Sequence, residues 1–140
     1  MACPYFHPEC PSSELAVAHR ERLPLGDAYC GTCSASSAAP DLVTLAENCN
    51  VGYARNCRHL PAEREADAVR YSVHEREGQI VVTCIYERNH LPAGVQQYVH
   101  EASGGRWICL PEESAIQAQV KAVLNHHLSR TGRAASHAAS

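Results

Sequence analysis

The chain has 140 residues, a formal net charge of −3 and a pI of about 6.3. A charge this close to neutral gives no basic surface of the kind that binds a phosphate backbone, so we expect no nucleic-acid partner. No stretch approaches the roughly 18 apolar residues of a membrane span, and the N-terminus lacks the basic start and apolar run of a secretory signal. The expectation is a cytoplasmic protein without a membrane partner.

Cysteine is the residue type that stands out in this composition. The chain contains eight cysteines, and six of them lie between Cys3 and Cys57. In a reducing cytosol such thiols are better interpreted as metal ligands or reactive groups than as disulfides. Leu, Ile, Val and Phe together number only 26, so a bound metal would compensate for a thin hydrophobic core.

The first 40 residues are predicted to be mostly loop. A short helix is expected from Ser12 to Arg22, ended by Pro24. Turn-forming residues then lead to Cys30 and Cys33, a Cys-x-x-Cys pair that could bind one metal or form a reversible disulfide. No strand or long helix is predicted beside this pair, which argues against a thioredoxin-like enzyme.

A second helix is predicted after Pro40, with Asp41 as its cap. Apolar residues share one helical face with Cys49, so this thiol is expected to point inward from the last turn. Gly52 can adopt the left-handed conformation on which helices often end. The chain then returns and supplies another thiol at Cys57.

The apolar pattern changes its period after residue 67. It predicts strands at about 69–73, 80–86, 95–101 and 106–110, and then a helix at about 112–129. We therefore predict an α+β fold, in which a loop-rich, metal-bound N-terminal half packs on a four-stranded antiparallel meander with one C-terminal helix. Residues 1–130 would form a single domain, made of a Cys-rich part at 1–60 and the sheet and helix at 68–130, followed by a disordered tail at 131–140.

Four thiolates suit either tetrahedral zinc or an iron–sulfur cluster. Spacing alone nominates Cys30, Cys33, Cys49 and Cys57 as the ligands. The gap between Cys49 and Cys57 exceeds the roughly two to four residues that separate the second ligand pair of a zinc knuckle. A cubane cluster spreads its four ligands more widely than one zinc ion, so we predict a [4Fe–4S] cluster, with Zn²⁺ as the alternative.

Several segments resemble a group of small, uncharacterised bacterial cysteine-containing proteins over about residues 3–95. The segments are Cys3-Pro4-Tyr5-Phe6, Pro24-Leu25-Gly26-Asp27, Gly31-Thr32-Cys33, Cys49-Asn50-Val51-Gly52-Tyr53-Ala54-Arg55 with Cys57, Asp67-Ala68-Val69-Arg70-Tyr71 and Glu87-Arg88-Asn89-His90-Leu91-Pro92. The recurring cysteines of the group match Cys3, Cys33, Cys49 and Cys57, whereas position 30 is not consistently a cysteine. The resemblance therefore implies Cys3 as the fourth ligand in place of Cys30, and Cys10 also stays open.

The predicted function is that of a cluster-binding protein in electron transfer or redox sensing, with a redox or regulatory protein partner and no catalytic residue. Arg55 would offset the negative charge of the all-thiolate centre. The alternatives are a structural zinc module that binds a protein partner and, less favoured, a thiol oxidoreductase that uses Cys30 and Cys33. Cys84 and Cys109 are predicted to be buried thiols of the core.

Overall fold

The computed structural model of the protein describes residues 1–17, 20–36, 39–51, 57 and 59–132. In chain order, its elements are β1 (Phe6–Pro11), a 3₁₀ turn (Arg20–Arg22), β2 (Tyr29–Cys33), α1 (Leu42–Thr44), a π-helical segment (Leu45–Cys49), β3 (Ala68–Arg76), β4 (Gln79–Arg88), β5 (Leu91–Glu101), β6 (Arg106–Cys109) and α2 (Ser114–Arg130). The disordered tail was predicted at 131–140, and residues 133–140 of it lie outside the described residues. No helix within it is both long and apolar enough to cross a membrane.

An antiparallel meander in the order β3-β4-β5-β6 forms the C-terminal part of the fold. β4 lies inside the sheet, and Ile80, Val81 and Val82 are each fully buried, as expected for a strand that is apolar on both faces. α2 follows the meander and buries Ile116, Val120 and other residues of one helical face. The predicted α+β class, with a four-stranded antiparallel sheet and a C-terminal helix, is confirmed.

The N-terminal half contains a second sheet that the sequence pattern did not predict. β1 and β2 pair in antiparallel fashion, with Phe6 opposite Cys33. Prolines in β1 and a glycine in β2 hide the alternation by which strands are recognised. Gly31 is required in this ribbon, because a Cβ at this position would lie 2.0 Å from the His7 carbonyl oxygen.

The prediction of a helix from Ser12 to Arg22 is wrong for the residues that the structure describes. Among them, only Arg20–Arg22 form a helical turn. The backbone groups of this segment find partners outside a helix. Ser12 N–H donates to the Ala28 carbonyl oxygen at 2.8 Å and so extends the ribbon. The Leu15 carbonyl oxygen accepts a 2.6 Å hydrogen bond from the Arg20 guanidinium and a 3.0 Å bond from Val17 N–H, two residues on, which is not the spacing of a helix.

Both halves of the chain contribute to one hydrophobic core. Phe6 and Leu25 from the first half are buried in the same cluster as Val69 of the sheet and Ile116 of α2. The backbone of Ala2 also exchanges two 2.9 Å hydrogen bonds with that of Val69, which joins the N-terminus to the edge strand β3. The cysteine-rich segments are therefore anchored on the sheet and the helix.

Candidate metal centre

Cys3 lies in a tight turn that a buried glutamine holds in place. Phe6 N–H donates to the Cys3 carbonyl oxygen at 3.1 Å and closes the turn. Gln119 of α2, which is fully buried, donates from Nε2 to the carbonyl oxygens of Cys3 and Phe6 at 2.7 Å each. Its Oε1 accepts a 2.8 Å bond from the Tyr71 hydroxyl of β3. Gln119 thus connects the Cys3 turn to both the helix and the sheet.

Cys49 lies at the end of the helical segment predicted for it. Asp41 begins the segment, and its Oδ1 accepts a 2.8 Å hydrogen bond from Thr44 N–H. The segment then widens into a π-helix, in which Asn50 N–H donates to the Leu45 carbonyl oxygen at 3.1 Å. Short π-helical segments of this kind are frequent at functional sites. Cys49 is buried on the inward side of this segment.

Asn50 connects the end of the π-helical segment to β2 through side-chain hydrogen bonds. Its side chain, only 1% exposed, accepts from Tyr29 N–H at 2.9 Å and donates to the carbonyl oxygens of Tyr29 and Leu45 at 2.9 and 2.8 Å. A direct bond of 3.2 Å also runs from Cys3 N–H to the Cys49 carbonyl oxygen. These contacts bring the Cys3 turn, β2 and Cys49 together.

The other two predicted ligands lie beside these segments. Cys33 is buried at the end of β2 opposite Phe6. The next residue, Ser34, donates to the Tyr5 carbonyl oxygen from its backbone N–H at 2.8 Å and from its hydroxyl at 3.0 Å. Cys57 is half-buried, and its carbonyl oxygen accepts a 3.1 Å bond from Leu60 N–H.

The four thiols lie near enough to interact electrostatically. Burial is the main cause that raises the pKa of Cys3 to about 12, and the thiols of Cys33 and Cys57 contribute to the increase. Burial likewise raises the pKa of Cys49, with further contributions from Cys3, Cys57 and Cys33. Cys33 and Cys57 therefore both lie within electrostatic range of Cys3 and of Cys49.

Among the described residues, the side chains that commonly bind metals do not form a ready site for one ion. In the part of the chain that the structure describes, no three His, Cys, Asp or Glu side chains converge closely enough to hold one ion. Four thiolates around one zinc would lie about 3.8 Å apart, because Zn–S bonds are about 2.3 Å long. A single zinc ion held by these four thiols would require them to approach to this distance.

The strand geometry of β2 bears on Cys30 as an alternative ligand. Cys30 and Cys33 lie three residues apart on a regular strand, so their side chains point to opposite faces. Their Cα atoms are about 10 Å apart at the rise of an extended strand, beyond the roughly 7 Å that a disulfide can bridge. Cys10 is paired with Cys30 in the ribbon. The two alternative ligands, Cys10 and Cys30, therefore share the face of the β1–β2 ribbon that is opposite to Cys33.

The remaining predicted residues have different outcomes. Cys84 is buried in β4, as predicted, and burial raises the pKa of its thiol to about 11 despite hydrogen bonds with the Tyr86 and Tyr71 hydroxyls. The prediction that Cys109 is buried is wrong: the residue is exposed because β6 is an edge strand of the meander. Arg55, proposed to offset the charge of the centre, lies outside the described residues.

A cavity of about 760 Å³ opens beside the Cys3 turn, with Pro4 and Tyr5 in its wall. Carboxylate side chains dominate its charged lining, which consists of Glu63, Glu65, Glu112, Glu113 and Arg64. The Arg64 guanidinium is paired with Asp67 and also donates to the Pro61 carbonyl oxygen at 3.1 Å. The surface next to the cysteine cluster is therefore acidic. Sequence reasoning did not find this cavity, because its lining comes from segments that are far apart in the chain.

Comparisons of the chain with protein-family models, with curated proteins and with solved structures give no match. The case for a metal centre therefore rests on the arrangement of the four cysteines and on the chemistry of thiolate ligands.

Proposed function

We propose that the protein binds an iron–sulfur cluster of the [4Fe–4S] type through Cys3, Cys33, Cys49 and Cys57, and that it acts in electron transfer or redox sensing. The observation that carries this proposal is the approach of four thiols from four separate segments, three of them buried. Ionised thiolates packed together repel one another, so such a group gains most from a bound cation or cluster.

The donor set and its spacing favour a cluster over zinc. Thiolates are soft ligands that suit both, but the eight positions from Cys49 to Cys57 exceed the spacing of about two to four residues in the second ligand pair of a zinc knuckle. A cubane presents four iron atoms at its corners, each of which takes one thiolate.

Exposure at one edge of the site is consistent with a carrier of electrons. Cys57 is half-buried, whereas Cys3, Cys33 and Cys49 are buried, and Cys3 and Cys49 belong to the hydrophobic core. Exposure and nearby charge are two of the properties by which a protein sets the potential of a cluster. The acidic cavity beside the Cys3 turn would suit a redox or regulatory protein partner with a basic surface, because complementary charge speeds encounter.

Metal analysis of protein purified without oxygen tests the proposal. We expect iron and acid-labile sulfide in equal amounts, about four of each per chain, and a brown colour. Replacement of Cys3, Cys33, Cys49 or Cys57 by Ser should remove most of the iron. Cys84→Ser and Cys109→Ser serve as matched controls and should keep it.

A colourless protein with one zinc per chain would refute the cluster and support a structural zinc module. A second measurement separates a carrier from a structural centre. We expect a reversible one-electron change in the anaerobic protein, whereas a zinc site would be electrochemically silent. Loss of iron in Cys30→Ser but not in Cys3→Ser would show that the ligand set is wrong.

A further inference from the structure

Two thiols outside the proposed metal centre face each other across the β1–β2 ribbon. Cys10 of β1 is the direct partner of Cys30 of β2, after a bulge between Pro8 and Cys10. The Cα atoms of directly paired residues in an antiparallel ladder lie about 4.5–5.5 Å apart, and their side chains lie on the same face of the sheet. Disulfides need Cα separations of about 4.4–6.8 Å. The register thus places both thiols in bridging range.

These two thiols are also accessible and separate from the four proposed ligands. Cys10 is exposed and Cys30 is half-buried. Because residues alternate along β2, Cys30 lies on the opposite face of the strand from Cys33. A reaction at this pair therefore need not involve the buried thiols of Cys3, Cys33 and Cys49.

We propose that Cys10 and Cys30 form a dithiol site that reacts with low-molecular-weight disulfides, such as glutathione disulfide, and closes to a cross-strand disulfide. This inference goes beyond the proposed cluster and does not depend on it. The site differs from a Cys-x-x-Cys redox pair, because its second thiol comes from the neighbouring strand instead of from three residues along the chain.

The reaction takes two thiol–disulfide exchange steps. The exposed Cys10 thiolate attacks one sulfur of glutathione disulfide, forms a mixed disulfide and releases one glutathione thiolate. The Cys30 thiolate then attacks the Cys10 sulfur, forms the cross-strand bond and releases the second glutathione. The two protein thiols are oxidised, the glutathione disulfide is reduced to two glutathione thiols, and these take up the two protons of the cysteines.

Cys109 provides an internal control for this reaction. It is exposed like Cys10, but the residue paired with it in the sheet is Val99. Its mixed disulfide with glutathione therefore has no thiol directly across the strand to resolve it. After incubation with glutathione disulfide, we expect a stable glutathione adduct on Cys109 and none on Cys10.

Mass spectrometry of the full chain treated with glutathione disulfide and cleaved after glutamate tests the site. Cleavage at Glu9 and Glu14 separates Cys10 from Cys3, so a cross-link from the 10–14 peptide to the 22–47 peptide shows that Cys10 has been resolved. The 22–47 peptide holds both Cys30 and Cys33, and single Ser variants of these two residues identify which one forms the bond. Cys30→Ser should lose this cross-link. Its Cys10 should instead retain glutathione, in an amount at least tenfold higher than in the wild type. Cys33→Ser should keep the cross-link.

Two results would overturn the proposal. One is a glutathione adduct that persists on Cys10 of the wild-type chain as it does on Cys109. The other is a cross-link that survives in Cys30→Ser, which would show that a different thiol resolves Cys10. Iron and sulfide analysis of the same samples is a separate measurement, so failure of this site leaves the cluster proposal untouched, and the reverse also holds.

Discussion

The buried Gln119 side chain gives the sharpest test of how the cysteine-rich half is attached to the rest of the fold. We expect Gln119→Leu to destabilise the protein strongly, although leucine has a similar volume and suits a buried helix position. The substitution removes the two donors that hold the Cys3 and Phe6 carbonyl oxygens and the acceptor that holds the Tyr71 hydroxyl.

The expected magnitude follows from the three groups left behind. The Cys3 carbonyl oxygen keeps the bond from Phe6 N–H and the Tyr71 hydroxyl keeps its bond with Cys84, so the loss per group lies near the lower end of the about 1–3 kcal/mol that an unpaired buried polar group costs. The free energy of unfolding should therefore fall by about 2–3 kcal/mol. A domain of this size is stable by only about 5–15 kcal/mol. The loss would therefore remove a large part of the total stability.

Urea denaturation followed by circular dichroism measures this loss. Gln117→Leu is the matched control, because it lies on the same helix and gives up only one partly buried bond, to the Pro111 carbonyl oxygen. The control should lose about 1 kcal/mol or less. If Gln119→Leu lies within about 0.5 kcal/mol of the control, the reasoning from unsatisfied carbonyls is wrong.

Three further changes test other parts of the structure. Asn50→Ala should lower the free energy of unfolding by about 2–4 kcal/mol, because its side chain makes three hydrogen bonds in a buried site, and urea denaturation checks it. Gly31→Ala should cost at least about 2 kcal/mol in the same assay, since its Cβ would meet a backbone oxygen, whereas Gly94→Ala, whose Cβ meets Tyr86 at 3.8 Å, should cost much less. Burial lowers the pKa of His100 below 6.5, so the unfolded chain binds a proton here at higher pH than the folded chain does. Stability should therefore decrease as pH falls below about 6.5, and this slope should be shallower in His100→Phe in unfolding experiments between about pH 7 and 5.

The sequence pattern was most informative where side chains alternate without interruption. Val69, Tyr71 and Val73 predicted β3, and the apolar run from Ile80 predicted an internal strand. The ribbon of β1 and β2 was not predicted, because each of its residues pairs with a partner 18 to 27 residues away. The role of Asn50, whose side chain binds β2 to the π-helical segment, could not be predicted from the local sequence either. A polar residue that follows a helix usually indicates only a loop.

The candidate site shows a similar division. Helical spacing correctly placed Cys49 inward at the end of its helix. Spacing alone nominated Cys30 and Cys33 as ligands of one metal. This is reasonable for two cysteines in a loop, but in a strand the side chains of residues three apart point to opposite faces. The position of Cys3 beside Cys49 depends on the Cys3 turn, and that turn is held by Gln119, which is 116 residues further along the chain. No local pattern reports a contact of this kind.

The anchoring contacts also predict which part of the N-terminal half depends most on a bound metal. β1 is anchored by Phe6 in the shared core and by the Gln119 bonds, and the Ala2–Val69 bridge joins the preceding residues to β3. None of these contacts involves a thiol, so they should persist without metal.

The segment at 41–51 has fewer such anchors. Leu42 and Val43 are exposed, and the segment is held chiefly by Leu45 in the core, the Asn50 side chain and the bond between Cys3 and Cys49. A metal bound by Cys49 would add a strong link at this point. After metal removal, hydrogen exchange at 41–51 should therefore accelerate at least tenfold, while β1 and β4 exchange nearly as before. Equal acceleration over residues 1–51 would show that the metal, and not Gln119 and the core, holds the whole N-terminal half, and unchanged exchange at 41–51 would show that Cys49 contributes no stabilising metal bond.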